Sequence, residues 1–259
     1  MDWRTKSWIE EDVEFVPKRN VNNKGSRYFR HITGFLISQK MNRKKVGYES
    51  LWGECLFYYI LEMDPLIVRY YEQPVEVPIR ELNDACDLSE WMHVPDVLAF
   101  RHGYKPFLFQ IKGGNQSEQK DYSYINSFCH EYAKSRGWNY SMAFPKTLEE
   151  AIQFNIRLLK KYDNLRFGSD RWIPEIRNKM KYIHETSILE LARGFSAQAD
   201  FRSILPCIYH LIFKGELQTN VRSRITEKSI IRAGSCSEQF LDLFHIEGDA
   251  YDITNASTR

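Results

Sequence analysis

Asp96, Gln110 and Lys112 carry functional groups suited to phosphate chemistry, and each stands at the end of an apolar segment. Asp96 precedes the apolar run VLAF, while Gln110 and Lys112 alternate within PFLFQIKGG. Because alternate side chains of a β-strand share a face, Gln110 and Lys112 should point the same way. If the two segments pair as a hairpin, a carboxylate, an amide and an ammonium group meet beside glycines that let a ligand approach.

Glu54 is the expected second acid of this group. It follows Leu51 by three residues and precedes Tyr58 by four, so a helix places its carboxylate on a mostly apolar stripe. An unpaired carboxylate there costs roughly several kcal/mol, which a cation relieves. Glu49, about 140° away around the helix, is the alternative acid and is expected to be a cap or a surface residue.

The donors gathered in this way are hard oxygen atoms. Carboxylates of Glu54 and Asp96, the amide oxygen of Gln110 and the backbone carbonyl of Ile111 suit Mg²⁺, for which Mn²⁺ can substitute, and do not suit zinc. Lys112 cannot ligate a cation, but its ammonium group can hold the attacking water or neutralise charge at a phosphorus centre. The set predicts hydrolysis of phosphodiesters.

Each of these residues also has an ordinary structural explanation. Asp96 could cap a strand turn, Gln110 and Lys112 could form the solvated face of an edge strand, and Glu54 could be a surface residue. Their order favours the chemical explanation: a helical Glu, then Pro-Asp, then thirteen residues, then Gln-x-Lys.

An α/β domain over residues 20–148 is predicted to position these groups. A strand pair with a basic turn leads to a helix from Glu49 to Met63, which ends where Asp64 precedes a proline. After it the pattern predicts one or two strands around Pro74, a hairpin turning at Gly103, a helix ending at Gly137, and a strand closed by Pro145.

The second half of the sequence is predicted to be mainly helical. Residues 149–182 read as a helical connector, and 183–235 as a winged-helix-like domain. In that domain Thr186 or Ser187 caps a short helix, two further helices follow, the second of them starting near Pro206, and a β-hairpin with a basic tip closes the module. Residues 1–19 are expected to be an N-terminal extension, and residues 236–259 an acidic, partly loose tail.

Charge is distributed in blocks although the net charge is only +2. Residues 17–48 contain nine Lys and Arg and no acid, and residues 157–232 contain fifteen against eight acids. Such blocks favour a polyanionic partner, with the acidic ends outside the contact, although ordinary solvated surface is the alternative. The candidate DNA-binding residues are Arg43, Lys44, Lys45, Arg222 and Arg224.

Several classes of protein are disfavoured by composition. No segment approaches the roughly eighteen apolar residues of a membrane span, and the N-terminus lacks a secretory signal, so a cytoplasmic location is expected. Five cysteines without a CxxC pair predict buried free thiols. His93, His102, His130 and His184 lack metal-ligand spacing, and the first two could at most touch substrate.

The motifs together resemble those of the PD-(D/E)xK nucleases, which share a restriction-endonuclease-like fold. VPD, FQIKG, the preceding helix with Glu54, and YYEQP ending at Pro74 are most similar to TnsA, the endonuclease subunit of heteromeric bacterial transposases, in which Gln also replaces the usual acid. The motifs span residues 27–148, and the similarity extends through the winged-helix-like part to residue 235.

The resemblance implies a metal site of Glu54, Asp96 and Gln110, with Lys112 as the catalytic lysine. It also implies a cytoplasmic bacterial protein that cuts double-stranded DNA at the 5′ ends of a transposon. Its implied partners are a TnsB-like DDE transposase subunit, which cuts and joins the 3′ ends, and a TnsC-like AAA+ regulator. Two alternatives stay open: a stand-alone restriction or repair nuclease of the same fold, and a non-catalytic DNA or protein adaptor.

Overall fold

A computed structural model describes residues 2–19, 21, 33–82, 88–112, 122–165 and 170–249. The chain divides into two compact units. The first unit consists of Met1–Leu61, Leu66–Lys146 and Phe244–Arg259, and the second of Glu62–Pro65 and Thr147–Leu243. The architecture is mixed α/β, with a mixed sheet flanked by helices.

The elements are labelled in chain order. The described strands are β1 (Gly34–Ser38), β2 (Lys44–Tyr48), β3 (Ile67–Glu72), β4 (Val77–Leu82), β5 (Leu88–His93), β6 (Val97–Arg101), β7 (Phe107–Ile111), β8 (Asn139–Pro145), β9 (Thr186–Ser187), β10 (Leu217–Gln218), β11 (Ile230–Ala233) and β12 (Phe244–Gly248). The described α-helices are α1 (Ile9–Glu14), α2 (Leu56–Met63), α3 (Ser123–Ser135), α4 (Glu150–Lys160), α5 (Ile173–Met180), α6 (Ile188–Arg193), α7 (Phe201–Phe213) and α8 (Ser237–Leu241).

A five-stranded sheet in the order β12-β8-β7-β6-β3 forms the centre of the first unit. β7 and β8 are parallel, and the other neighbours are antiparallel. β6 and β7 are buried at every position, which explains their nearly continuous apolar sequences. The predicted hairpin between them is confirmed, and Gly103 in its turn has a φ of +88° that favours glycine.

Two further strand pairs accompany the sheet. β1 and β2 pair across a turn in which Asn42 and Arg43 have positive φ, which confirms the part of the predicted basic strand pair that lies within the described residues. β4 and β5 form a second antiparallel ribbon. The sequence pattern did not predict β5, because five of its six residues are exposed and it therefore lacks the alternation of a half-buried strand.

The helix predicted from Glu49 to Met63 begins at Leu51, and its first turn is not α-helical. A π-helical turn, Leu51–Cys55, comes first and α2 follows, so that the segment widens at its start. Ser50 caps the turn by accepting a hydrogen bond from the Gly53 amide at 2.8 Å. A Cβ on Gly53 would collide with Ser50 Oγ, so glycine leaves room for this cap, whereas Ile111 Cγ2 at 3.5 Å would be in ordinary contact.

The N-terminal segment, expected to be an extension, lies on the first unit. Trp3 and Trp8 contact the ring of Phe100 edge-on, with centroids 5.2 and 5.0 Å away. Asp12 of α1 accepts hydrogen bonds from Arg69 and Tyr71 of β3. Burial of these rings and pairing of the buried guanidinium hold the predicted N-terminal extension in place within the first unit.

The second unit contains α4 within the predicted helical connector, and also α5 to α8. Ser187 caps α6 in a capping box with Glu190, as predicted. The two helices expected between residues 197 and 216 are one helix, α7, which runs through Pro206. Asp200 caps α7 at its start, so Pro206 lies beyond the first turn, and the prediction of a helix start there was wrong. β10, β11 and β9 form a small sheet in that order.

Part of the predicted acidic, partly loose tail is ordered. Ser237–Leu241 is helix α8, and β12 pairs with β8 at the edge of the main sheet. Residues 250–259, Gly113, Gly114 and Cys86 lie outside the described residues. The four cysteines that are described are free and buried, as predicted. No helix in the described part of the chain is long and apolar enough to cross a membrane.

Candidate active site

Asp96 and Gln110 meet where β6 begins and β7 ends. Val97 pairs with Phe109, which places Asp96 beside the last residues of β7. The Asp96 carboxylate accepts hydrogen bonds from the Gln110 side-chain amide and from the Ile111 backbone amide, the latter at 2.6 Å. Both side chains are buried, at 4% and 3% exposure. The hairpin register therefore brings together the two groups that the sequence predicted to converge.

Glu54 lies in the π-helical turn and is also buried, at 7% exposure. Its Oε2 accepts a hydrogen bond from the Glu49 backbone amide at 2.9 Å. Glu49 itself precedes the turn, and its side chain is one-third exposed. Of the two candidate acids, Glu54 is thus the buried one, and Glu49 lies at the surface beside it.

Burial disfavours the ionisation of both carboxylates. Burial, followed by the charge of Asp96, raises the pKa of Glu54 to about 8. Burial also raises the pKa of Asp96 to about 6, against the opposing effects of the Ile111 amide, Lys112 and Arg19. Tyr58 lies next to the pair, and its pKa is raised by burial and then by Glu54 and Asp96. This is a buried region of excess negative potential.

Lys112 follows β7 directly and stands at the edge of this region. Its backbone amide donates to the Ala143 carbonyl at 3.0 Å, which continues the pairing of β7 with β8. Its ammonium group lies 5.1 Å from the centroid of the Tyr122 ring and lowers the pKa of Asp96. The partly exposed side chain is available to a ligand at the carboxylates.

His93 is a member of the site that the sequence did not assign. It ends β5, and its Nε2 lies 2.7 Å from Gln110 Oε1. With that oxygen as the acceptor, Nε2 carries the proton, and Gln110 directs its amino group toward Asp96. Burial, and then the charges of Lys112 and Arg19, lower the pKa of His93 despite this hydrogen bond. His93 precedes Asp96 by only three residues, so β5 leads directly into the site.

Arg19 and Gln73 were also missed. Arg19 Nη2 forms an ion pair with Glu49 Oε2 at 2.8 Å. With its amide oriented to satisfy both ends, Gln73 donates to the Arg19 carbonyl at 2.6 Å and accepts from Nη2 at 3.2 Å. The backbone amide of Gln73 donates to the Asp96 carbonyl at 2.8 Å. The sequence signals for these residues were the basic segment 17–48, which contains Arg19, and the YYEQP motif, which contains Gln73.

The candidate DNA-binding residues fall in both units. In the first, Arg43 is in the β1–β2 turn, Lys44 lies 3.4 Å from Asp12, and Lys45 lies over the ring of Phe35. In the second, Arg222 and Arg224 follow β10. Arg222 lies 3.6 Å from Asp242, and Arg224 stacks 4.1 Å from the centroid of the Phe154 ring.

The donors suit a hard divalent cation in their chemistry. Two buried carboxylates with raised pKa values gain from a neighbouring positive charge, and the Ile111 carbonyl and the Gln110 amide adjoin them. Among the described residues, no three His, Cys, Asp or Glu side chains form a metal-binding group. The predicted ligand set contains only two carboxylates, those of Glu54 and Asp96. The oxygen of the Gln110 amide can face a cation only if that amide turns away from His93.

Comparison with known proteins assigns no family. The sequence matches no family model, and a search of curated proteins finds no match either.

Proposed function

We propose that this protein is a Mg²⁺-dependent DNA endonuclease with a restriction-endonuclease-like catalytic domain and a winged-helix-like second domain. The observation that carries the proposal is the burial of Glu54 and Asp96 together, at 7% and 4% exposure, beside Gln110 and Lys112. Two buried carboxylates whose pKa values are raised by burial are costly to ionise unless a cation lies beside them. A divalent cation and a phosphodiester match this charge pattern.

Each residue of the site has a role that follows from its functional group. Glu54 and Asp96 would hold the cation, with Gln110 and the Ile111 carbonyl completing the ligands. A cation bound there supplies charge neutralisation and a more acidic water. The Asp96 carboxylate is oriented by the Ile111 amide at 2.6 Å. Lys112 offers a mobile ammonium group to the attacking water or to the phosphate oxygens.

The proposal extends to a biological setting by the resemblance of the motifs alone. A TnsA-like subunit cuts the 5′ ends of a transposon beside a DDE transposase and an AAA+ regulator. A stand-alone restriction or repair nuclease uses the same residues without partners. A DNA or protein adaptor uses none of them for chemistry.

Manganese binding and plasmid nicking test the proposal together. We expect the purified protein to bind Mn²⁺, measured by electron paramagnetic resonance, and Asp96→Asn and Glu54→Gln to weaken that binding at least tenfold. Lys112→Ala should retain Mn²⁺ and lose nicking, and Glu185→Gln, an exposed acid of the second unit, is the control.

The outcomes separate the alternatives. Efficient nicking by the purified protein alone favours the stand-alone nuclease, whereas nicking that requires a transposase subunit favours the TnsA-like function. Absence of Mn²⁺ binding by the wild-type protein contradicts the nuclease proposal. A cell-based excision assay unaffected by Asp96→Ala and Lys112→Ala favours the adaptor.

A further inference from the structure

Arg19 lies at the edge of the acidic site, where two sets of polar contacts hold it. In the first set, its guanidinium pairs with Glu49 Oε2 at 2.8 Å, and the Glu49 backbone amide donates to Glu54 Oε2 at 2.9 Å. In the second set, the Gln73 side chain donates to the Arg19 carbonyl and accepts from its guanidinium, and the Gln73 backbone amide donates to the Asp96 carbonyl. Arg19 is thereby connected to the Glu54 carboxylate through Glu49 and to the Asp96 backbone carbonyl through Gln73.

Gln73 adopts a conformation that serves this connection. Its φ is +45°, an unusual value for a residue with a side chain, and it is only 2% exposed. Its carbonyl accepts a hydrogen bond from the Lys18 amide at 2.9 Å, which fixes the chain just before Arg19. Strained backbone of this kind persists where surrounding contacts hold it and is concentrated at functional sites.

The Arg19 guanidinium has N–H groups that no contact among the described residues uses. The Arg19 side chain is 50% exposed, and among the residues that the structure describes its contacts run through Nη2 alone. An exposed pair with Glu49 contributes little stability by itself. A planar guanidinium with free N–H groups is well suited to a phosphate, which it binds with two parallel hydrogen bonds.

We propose that Arg19 is a substrate-contacting residue whose guanidinium binds a DNA phosphate next to Glu54 and Asp96. The N-terminal segment places Arg19 there, because Asp12 and the aromatic contacts of Trp3 and Trp8 hold the chain that precedes Arg19. Arg19 also lowers the pKa of both carboxylates, in agreement with its position at their rim. This inference rests on the proposed nuclease function.

The salt dependence of DNA binding tests the contact directly. Fluorescence anisotropy with a short labelled duplex, with Ca²⁺ in place of Mg²⁺, gives the dissociation constant between about 50 and 200 mM salt. Each phosphate contact contributes about 0.9 to the slope of log affinity against log salt. We expect Arg19→Ala to lower the slope by about that amount, and Arg19→Lys to retain it because the charge remains.

Cleavage kinetics and a matched control complete the test. Arg177→Ala removes a similarly exposed, ion-paired arginine from the second unit and should leave the slope unchanged. Arg19→Lys should slow single-turnover nicking roughly tenfold, because an ammonium group cannot make the paired hydrogen bonds. If the wild-type protein binds DNA and Arg19→Ala leaves the salt dependence of binding unchanged, the inference about Arg19 is overturned while the proposed function stands. Failure of the wild-type protein to bind Mn²⁺, or to nick DNA even with a transposase subunit added, overturns the proposed function and the inference with it.

Discussion

Glu54 and Asp96 are buried acids whose protonation the fold favours. Their carboxylates accept backbone hydrogen bonds from Glu49 and Ile111, which stabilise the charged form, but burial outweighs these bonds. His93 adds a further constraint, since it determines which end of the Gln110 amide faces Asp96. The site is arranged so that a cation can replace a proton.

Stability should therefore fall as pH rises in the absence of divalent cations. The pKa of Glu54 rises from 4.5 to about 8 on folding, so the native state binds more protons than the unfolded state between these values. The stabilising effect is complete below pH 4.5 and is lost as pH rises through about 8. The expected loss is on the order of 5 kcal/mol.

Urea denaturation at a series of pH values measures this effect. Glu54→Gln should flatten the decline, and Mn²⁺ should oppose it at the upper end, because the cation binds the ionised carboxylates. A metal-free wild-type protein whose stability rises over this range would contradict the assignment of Glu54 as a buried acid with a raised pKa.

At the scale of elements, α1 is held to the sheet by a buried charge. Arg69 of β3 is 3% exposed, and Asp12 of α1 is its acidic partner. The Arg69 guanidinium also donates hydrogen bonds to the Lys40 carbonyl at 3.1 Å and to the Tyr71 hydroxyl at 3.3 Å. Neither of these neutral groups can compensate the guanidinium as a carboxylate does.

Asp12→Ala should destabilise the protein by about 3 kcal/mol, because it leaves Arg69 buried without its counter-ion. Chemical denaturation followed by tryptophan fluorescence measures the change, since Trp3 and Trp8 report on the N-terminal segment. Glu10→Ala, on the exposed side of the same helix, should change stability by less than about 0.5 kcal/mol. Equal effects of the two substitutions would show that α1 is not anchored by this pair.

At the scale of the whole molecule, the chain leaves the first unit, builds the second and returns. β12 pairs with β8 at the edge of the main sheet. Phe244, 4% exposed, packs edge-on against Phe57 with ring centroids 5.3 Å apart. The first unit is therefore complete only when the last strand has been added.

Phe244→Ala should destabilise the first unit by about 3 kcal/mol, because it removes a buried aromatic side chain and leaves a cavity. Phe35→Ala, at a position 59% exposed, is the matched control and should have a small effect. Thermal unfolding monitored by circular dichroism measures both. An unchanged transition in Phe244→Ala would mean that β12 is not part of the stable fold.

The sequence by itself determined the features that depend on neighbouring residues. The two apolar segments β6 and β7 and the glycine turn between them predicted the hairpin that joins Asp96 to Gln110. The apolar stripe around Glu54 correctly indicated its burial, and Ser187 was one of the two residues predicted to cap α6. Local periodicity and capping chemistry encode these features directly.

Only the tertiary structure decided which distant segments complete the site. Arg19 reaches the site because the N-terminal segment contacts β3 and β6, and Gln73 reaches the Asp96 carbonyl from the residue after β3. Elsewhere in the first unit, β12 pairs with β8 about a hundred residues earlier. α7 continues through Pro206 because tertiary burial of its apolar face offsets the lost hydrogen bond. Contacts between remote segments depend on packing of the whole chain, which no local pattern specifies.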